Sequence, residues 1–176
     1  MASRHFHPSP IIDPQRAAEE WRNWAAQWRW DRFVTLTFNQ PGSGQPITGL
    51  NDRQALRLKD KLKEWDGRMQ RKVVGSNWAH IPDNRMFCLY TLEKPTVNPH
   101  WHGLIHFFDV DDEERKRQGK QFDEWANFVW KTLVPSGDVD VKTTYDEKGA
   151  VGYIGKSLLD RLNFEYWVPQ DEFWRP

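Results

Sequence analysis

The chain contains a single cysteine, Cys88, among its 176 residues. One cysteine cannot form an internal disulfide or build a thiolate metal site, so any metal must be held by histidine and carboxylate side chains. Long apolar runs are also absent, since 28% of the residues are charged and the mean hydropathy is -0.84. Nothing approaches the ~20 apolar residues of a membrane-spanning helix, and the first residues, MASRHFHPSP, lack the apolar stretch of a secretory signal. These absences predict a cytoplasmic protein without a membrane partner.

The sequence also lacks a net charge, because 25 Lys and Arg balance 25 Asp and Glu. A balanced charge removes the simplest argument for nucleic-acid binding, which is a strongly basic domain, but it is compatible with a local basic surface. The length and the 38% hydrophobic content predict one domain over residues 1–176, in which residues 1–31 form an N-terminal helical extension.

Aromatic residues are abundant, with 11 Trp, 10 Phe and 4 Tyr. Aromatic rings either build a core or stack on nucleobases, and composition does not distinguish the two roles.

The order of the predicted elements indicates the fold class. Asp13 before Pro14 is an N-cap followed by proline at the first helical position, and apolar residues then recur at helical spacing. Similar periodicity predicts further helices, whereas β-branched and aromatic runs predict strands. The order αβαββαβα predicts an α+β fold with a central antiparallel sheet of four or five strands and flanking helices. The predicted helices cover residues 14–30, 51–72, 122–133 and 150–162, and the predicted strands cover residues 32–38, 86–93, 100–108 and 138–145.

Two histidines share one face of the strand HWHGLIHFF. His100 and His102 are two positions apart, which places their side chains next to each other at ~6.6 Å, and hairpin closure brings Glu93 back beside them. Two imidazoles and one carboxylate suit Mn, Mg, Zn or Co. His106 shares the same face but lies ~13 Å along the strand from His102, too far to be an easy third ligand. The alternative interpretation is an aromatic-rich strand with its polar histidines on a solvated face.

A candidate nucleophile lies on the last predicted helix. Tyr153 and Lys156 are three positions apart, on the side opposite the apolar stripe of that helix. A neighbouring ammonium favours the phenolate and can offset phosphate charge. Tyrosine and lysine also often share a solvated helix face, and Tyr145 with Lys148 repeats the spacing at a strand end, where a common face is not assured.

DNA-binding candidates fall on the second helix and the first strand. Residues 52–72 contain eight basic and four acidic residues, so this segment either tracks a phosphate backbone or forms a solvated helix face. Thr35 and Thr37 share a strand face on which their hydroxyls could contact DNA, although strand propensity alone also explains them. The basic candidates on the predicted helix are Arg53, Arg57, Lys61 and Arg68.

Three motifs, in this order, resemble those of the HUH endonucleases, in particular the single-tyrosine initiators of rolling-circle replication. The motifs are FVTLTF at residues 33–38, PHWHGLIHF around His100 and His102, and YIGK at residues 153–156. The resemblance extends over residues 33–158 and implies a ferredoxin-like or RRM-like nuclease fold. The neutral net charge departs from the basic character frequent in DNA nickases, and no helicase domain follows in this sequence.

The resemblance also implies a chemistry. Glu93, His100 and His102 are expected to hold a divalent metal, Mn²⁺ or Mg²⁺, while Tyr153 attacks a phosphodiester and Lys156 positions the phenolate or offsets charge. The expected activity is sequence-specific nicking and joining of single-stranded or origin DNA through a 5′-phosphotyrosine intermediate, which initiates rolling-circle replication. The expected partners are that DNA, a separate helicase and replication proteins of the host cell of a plasmid, phage or virus.

Two alternatives remain open at the level of sequence. One is a metal-dependent phosphodiesterase that uses activated water and forms no covalent intermediate. The other is a DNA-binding module that keeps the fold without catalysis. The presence of the whole set argues against lost activity, because a decayed site should lack at least one member. That set is Glu93, His100, His102, Tyr153 and Lys156.

Overall fold

A computed structural model describes residues 13–39, 52–95, 98–108, 110–156, 167–169 and 173–174. These residues form a five-stranded antiparallel sheet with four helices, so the predicted α+β class is confirmed. None of the helices in these ranges is both long and apolar enough to cross a membrane. The elements are α1 Pro14–Ala25, β1 Arg32–Thr37, α2 Asp52–Val73, β2 Phe87–Glu93, β3 His100–His106, α3 Asp112–Leu133, β4 Val139–Thr143, α4 Glu147–Gly155 and β5 Trp167–Pro169.

The strand order is β4-β1-β3-β2-β5, which puts β3 at the centre of the sheet. β2 and β3 form the predicted hairpin, with Glu93 opposite His100. On the other side of β3, Thr35 of β1 lies opposite His102. Because side chains alternate along a strand, these four residues project from the same face of the sheet.

The opposite face of the sheet packs against α2 and α3. Trp101 and Ile105 of β3 enter this core together with the first-strand residues Val34 and Leu36. The helical stripe predicted for residues 51–72 is buried here, since its apolar members point to the sheet and to α3. Those buried members are Leu58, Leu62, Trp65 and Met69.

Gly103 lets this core close tightly around β3. A Cβ at this position would lie 2.7 Å from Cγ1 of Val34 and 2.8 Å from the ring of Tyr90. A glycine beside His102 therefore serves packing behind the histidines.

A second and smaller core joins α1 and α4 to the face that carries the histidines. Leu89 and Leu104 of the sheet pack there with Trp21 of α1 and with Val151 and Ile154 of α4. α1 and α4 therefore flank the candidate site, whereas α2 and α3 lie behind the sheet.

The end of α1 and the start of α3 differ from the predicted boundaries. α1 ends at Ala25, because the indole of Trp30 donates a hydrogen bond to the Ala25 carbonyl at 2.9 Å, where a longer helix would continue. α3 begins at Asp112, ten residues before the predicted start at 122, and its N-cap Asp111 accepts from the Glu114 amide at 2.8 Å. Residues 112–121, which fall between the predicted strand at 100–108 and the predicted helix at 122–133, are helical because Arg115 reaches inward.

The contact made by Arg115 holds that segment. Its guanidinium donates to Oδ2 of the buried Asp31 at 2.8 Å and to the carbonyl of Phe107 at 2.9 Å. Charge-assisted hydrogen bonds to a buried carboxylate are strong enough to fix a polar helix to the sheet.

The last two elements also differ from the sequence prediction. α4 begins at Glu147, three residues before the predicted start, and its N-cap Asp146 accepts from the Gly149 amide at 2.9 Å. The predicted end of this helix, residues 157–162, lies outside the described residues. Strand β5 was not predicted, because its three residues are too few to show a periodic pattern.

Candidate metal centre

The structure brings Glu93, His100 and His102 together at the end of the β2-β3 hairpin. Oε2 of Glu93 lies 3.4 Å from Nε2 of His100 and 3.3 Å from Nε2 of His102. One ligand atom from each residue lies within 4.8 Å of the others. Ligand atoms ~2.1 Å from one ion are roughly 3.0 to 3.4 Å apart in octahedral and tetrahedral shells, so the two separations from Glu93 match those around a shared cation.

Hydrogen bonds to the far side of each ring orient the two imidazoles. Nδ1 of His100 donates to the carbonyl of Asn98 at 2.8 Å, and this leaves a lone pair on Nε2 of the neutral ring. Nδ1 of His102 pairs with the hydroxyl of Thr35 at 3.0 Å. Metal-ligating histidines typically use the second nitrogen in this way.

Nε2 of His102 is buried without a hydrogen bond, although the Glu93 carboxylate is its neighbour. A buried polar atom usually has a hydrogen-bonding or metal partner. A cation between this nitrogen and the carboxylate would supply that partner. The residues present therefore fit a divalent metal on grounds independent of the sequence pattern.

The electrostatics of His102 favour the ligand form of its ring. Burial lowers the pKa of His102 to about 4, an effect that the Glu93 carboxylate opposes and that the charges of His100 and then Lys142 reinforce. The imidazole is therefore neutral at neutral pH, and no proton competes with a metal for it.

Tyr153 lies beside the cluster, in the last turn of α4. Its ring centroid is 5.2 Å from that of His102 and 5.7 Å from that of Phe33, both in edge-to-face contact. The side chain remains 44% exposed, so it is accessible to a substrate. The predicted nucleophile and the predicted metal ligands thus share one site.

The other predicted residues of this site occupy different positions. Lys156 follows the last residue of α4, and its Nζ lies 5.5 Å from the centroid of the Tyr153 ring. The second Tyr-x-x-Lys pair does not share a helix, because Tyr145 precedes α4 and is 90% exposed while Lys148 belongs to its first turn. His106 is outside the cluster, with Nδ1 donating to the carbonyl of Arg29 at 2.7 Å.

The predicted basic DNA-binding residues are not brought to the site. α2 packs behind the sheet, and its residues Arg57, Lys61 and Arg68 lie in that layer. Arg68 donates to Glu64 at 2.6 Å and to Thr132 at 3.1 Å. The side chain of Arg53 lies outside the described residues.

The threonine hydroxyls predicted to contact DNA are engaged within the protein. Thr35 holds His102, and Thr37 accepts from the amide of Asp138 at 2.9 Å. Thr35 thus belongs to the site, but as a support for a candidate ligand.

The sequence analysis missed the contribution of β4. An open cavity of about 390 Å³ lies beside the cluster, and Lys142 lines it together with His102 and Tyr153. The alternating pattern of β4 was visible, but its pairing with β1, which sets the face that Lys142 occupies, was not.

Comparisons with known proteins add no assignment. No family model, no curated protein and no solved structure matches the chain.

Proposed function

We propose that the protein is a metal-dependent endonuclease that nicks and joins single-stranded DNA through a tyrosine nucleophile. The observation that carries the proposal is the edge-to-face contact between the exposed Tyr153 and His102, a member of a three-residue cluster that could hold a metal ion. A nucleophile beside a cation site is the arrangement that in-line phosphoryl transfer requires.

The chemistry follows from the side chains present. Glu93, His100 and His102 would bind a divalent cation, Mn²⁺ or Mg²⁺, which when bound polarises the phosphodiester. Tyr153 loses its phenolic proton and its oxygen attacks phosphorus, the bond to the 3′ oxygen breaks, and that oxygen takes up a proton. The products are a 5′-phosphotyrosine and a free 3′-hydroxyl.

The covalent ester explains how such an enzyme joins DNA. Its formation exchanges one phosphodiester for another, so attack by a 3′-hydroxyl regenerates the strand without an external energy source. With the motif resemblance, this chemistry supports a role in initiating rolling-circle replication at origin DNA in the cytoplasm of a host cell, with a separate helicase and host replication proteins as partners.

The test follows the label through a reaction with oligonucleotides and Mn²⁺. Wild type should transfer a 3′ label to the protein and release the 5′-labelled half, and an excess of the 3′-hydroxyl strand should reverse the adduct. Tyr153→Phe should form no adduct while it still binds DNA, and Tyr145→Phe is the matched control that should remain active.

Two further arms of this experiment address the metal. A chelator should stop the reaction, and so should His100→Ala or His102→Ala, whereas His106→Ala should affect metal binding far less. A cut that leaves a 5′-phosphate without an adduct would instead assign the site to activated water. Binding without cleavage in wild type would indicate a DNA-binding module.

A further inference from the structure

The cavity beside the metal cluster has an aromatic wall and one cationic side chain. Phe33, His102 and Tyr153 contribute their rings to its lining. Among the described residues that line it, Lys142 is the one lysine or arginine. Asp146 is the one acidic residue of this described lining, and its carboxylate accepts from the Gly149 amide. An anionic group that enters the cavity therefore meets one ammonium beside a carboxylate that caps α4.

Strand pairing fixes Lys142 on the face of the candidate site. Lys142 of β4 lies opposite Phe33 of β1, and Phe33 shares its face with Thr35, which in turn lies opposite His102. The register of two strand pairs thus places Lys142 on the same face of the sheet as the candidate metal cluster.

The internal partner of Lys142 binds it weakly. Its Nζ lies 3.1 Å from Oδ2 of Asp140, and both side chains are largely exposed. Exposed ion pairs of this kind contribute little to stability, so a phosphate can replace the carboxylate at little cost.

Lys156, which the motif resemblance assigns to charge compensation, has a different environment. Its Nζ faces the ring of Tyr153 at 5.5 Å from the centroid, and Lys156 is not part of the cavity lining. This contact suits a cation that packs on the nucleophile's ring rather than one that meets the substrate.

We infer that Lys142 binds the phosphodiester of single-stranded DNA in this cavity, next to Tyr153. The inference rests on the proposed function and adds a substrate-binding residue that the motifs do not contain. The ammonium would contact a non-bridging phosphate oxygen and help to hold phosphorus in line with the phenol oxygen.

The test measures DNA binding at several salt concentrations. A pool of fluorescent single-stranded oligonucleotides of random sequence, Mn²⁺ and a Tyr153→Phe background allow binding to be followed without cleavage. Lys142→Ala should bind about tenfold more weakly, because one charge-assisted contact is lost. The slope of log K against log salt should become shallower by about 0.7, the value for one phosphate of a single strand. Lys142→Arg should retain affinity and slope.

Lys131→Ala is the matched control. Lys131 also forms an exposed ion pair, at 2.8 Å with Asp138, but it belongs to α3 and does not line the cavity. With Tyr153 present, Lys142→Ala should cleave more slowly than Lys131→Ala, and thermal unfolding should show both variants folded.

The possible outcomes distinguish a failure of the role inferred for Lys142 from a failure of the proposed endonuclease activity. If wild type binds and cleaves DNA while Lys142→Ala matches Lys131→Ala in affinity, slope and rate, the role of Lys142 is overturned and the endonuclease stands. If wild type neither binds nor cleaves any oligonucleotide with metal, both proposals fail.

Discussion

At the scale of single residues, the candidate ligands depend on hydrogen bonds that no motif records. The spacing of His100 and His102 and the hairpin that returns Glu93 could be predicted, because strand alternation and turn closure are local rules. The hydrogen bond between the Thr35 hydroxyl and Nδ1 of His102 could not be predicted, since the two residues lie on different strands, 67 positions apart in sequence. Its role depends on the register of β1 against β3.

Thr35→Val tests this support of His102. The substitution keeps the β-branched shape and removes the hydroxyl that pairs with Nδ1, so the ring loses the contact that orients it. Loss of such an outer partner typically lowers metal affinity about 10- to 100-fold. Calorimetric titration with Mn²⁺ should show this loss in a variant whose fold, judged by circular dichroism, is retained.

Thr37→Val is the matched control, because Thr37 lies on the same face of β1 but bonds to the backbone of Asp138. Its manganese affinity should equal that of wild type. Equal affinity in both variants would mean that Thr35 does not position His102.

At the scale of elements, prediction succeeded where periodicity is local and failed where a distant contact decides the outcome. The buried stripe of α2, from Leu58 to Met69, follows directly from helical spacing. The early start of α3 depends instead on Arg115 reaching Asp31, 84 positions away. β5 forms because its residues pair with the edge of β2. A segment of three residues is too short for this pairing to be predicted from the sequence.

Trp174 is attached to α2 through the buried carboxylate of Asp66. Oδ2 of Asp66 accepts from the indole of Trp174 at 2.7 Å, and Oδ1 accepts from the hydroxyl of Tyr90 at 2.8 Å. Burial raises the pKa of Asp66, and these hydrogen bonds oppose that shift. The carboxylate therefore depends on both donors for its solvation.

Trp174→Phe should destabilise the protein, because it removes one donor from a buried acid while keeping an aromatic ring. The expected loss in the free energy of unfolding is about 1 to 3 kcal/mol, measured by urea denaturation at neutral pH. Trp24→Phe, on an indole that is 38% exposed, should change it far less. An unchanged denaturation midpoint in Trp174→Phe would show that the hydrogen bond to Asp66 contributes nothing to stability.

At the scale of the whole molecule, the sheet divides the chain into two layers of different character. The candidate metal ligands, Tyr153 and Lys142 lie on the face flanked by α1 and α4. The basic segment of α2 lies in the layer behind the sheet. Counting charges along the sequence identifies this basic segment. It does not show which face of the sheet the segment covers, because that depends on how the strands and helices are connected.

This separation gives a prediction for the α2 residues that the sequence predicts to bind DNA. Layers pack ~10 Å apart, and the Debye length at physiological salt is ≈ 8 Å, so charges behind the sheet act weakly on a strand bound at the site. A double variant, Arg57→Ala with Lys61→Ala, should therefore cleave saturating single-stranded DNA at the wild-type rate. Its salt slope should stay unchanged, in contrast to that of Lys142→Ala.

The same double variant also shows whether the DNA path is longer than the cavity. A strand that continues around the edge of the sheet would place later phosphates on α2, and each lost contact would then make the salt slope shallower by about 0.7. The salt slope for a short oligonucleotide would then be unchanged in the double variant, whereas the slope for a long oligonucleotide would become shallower. Equal slopes for wild type and double variant at both lengths confine the DNA to the α1 and α4 face, whereas a difference that grows with length restores Arg57 and Lys61 to the binding surface.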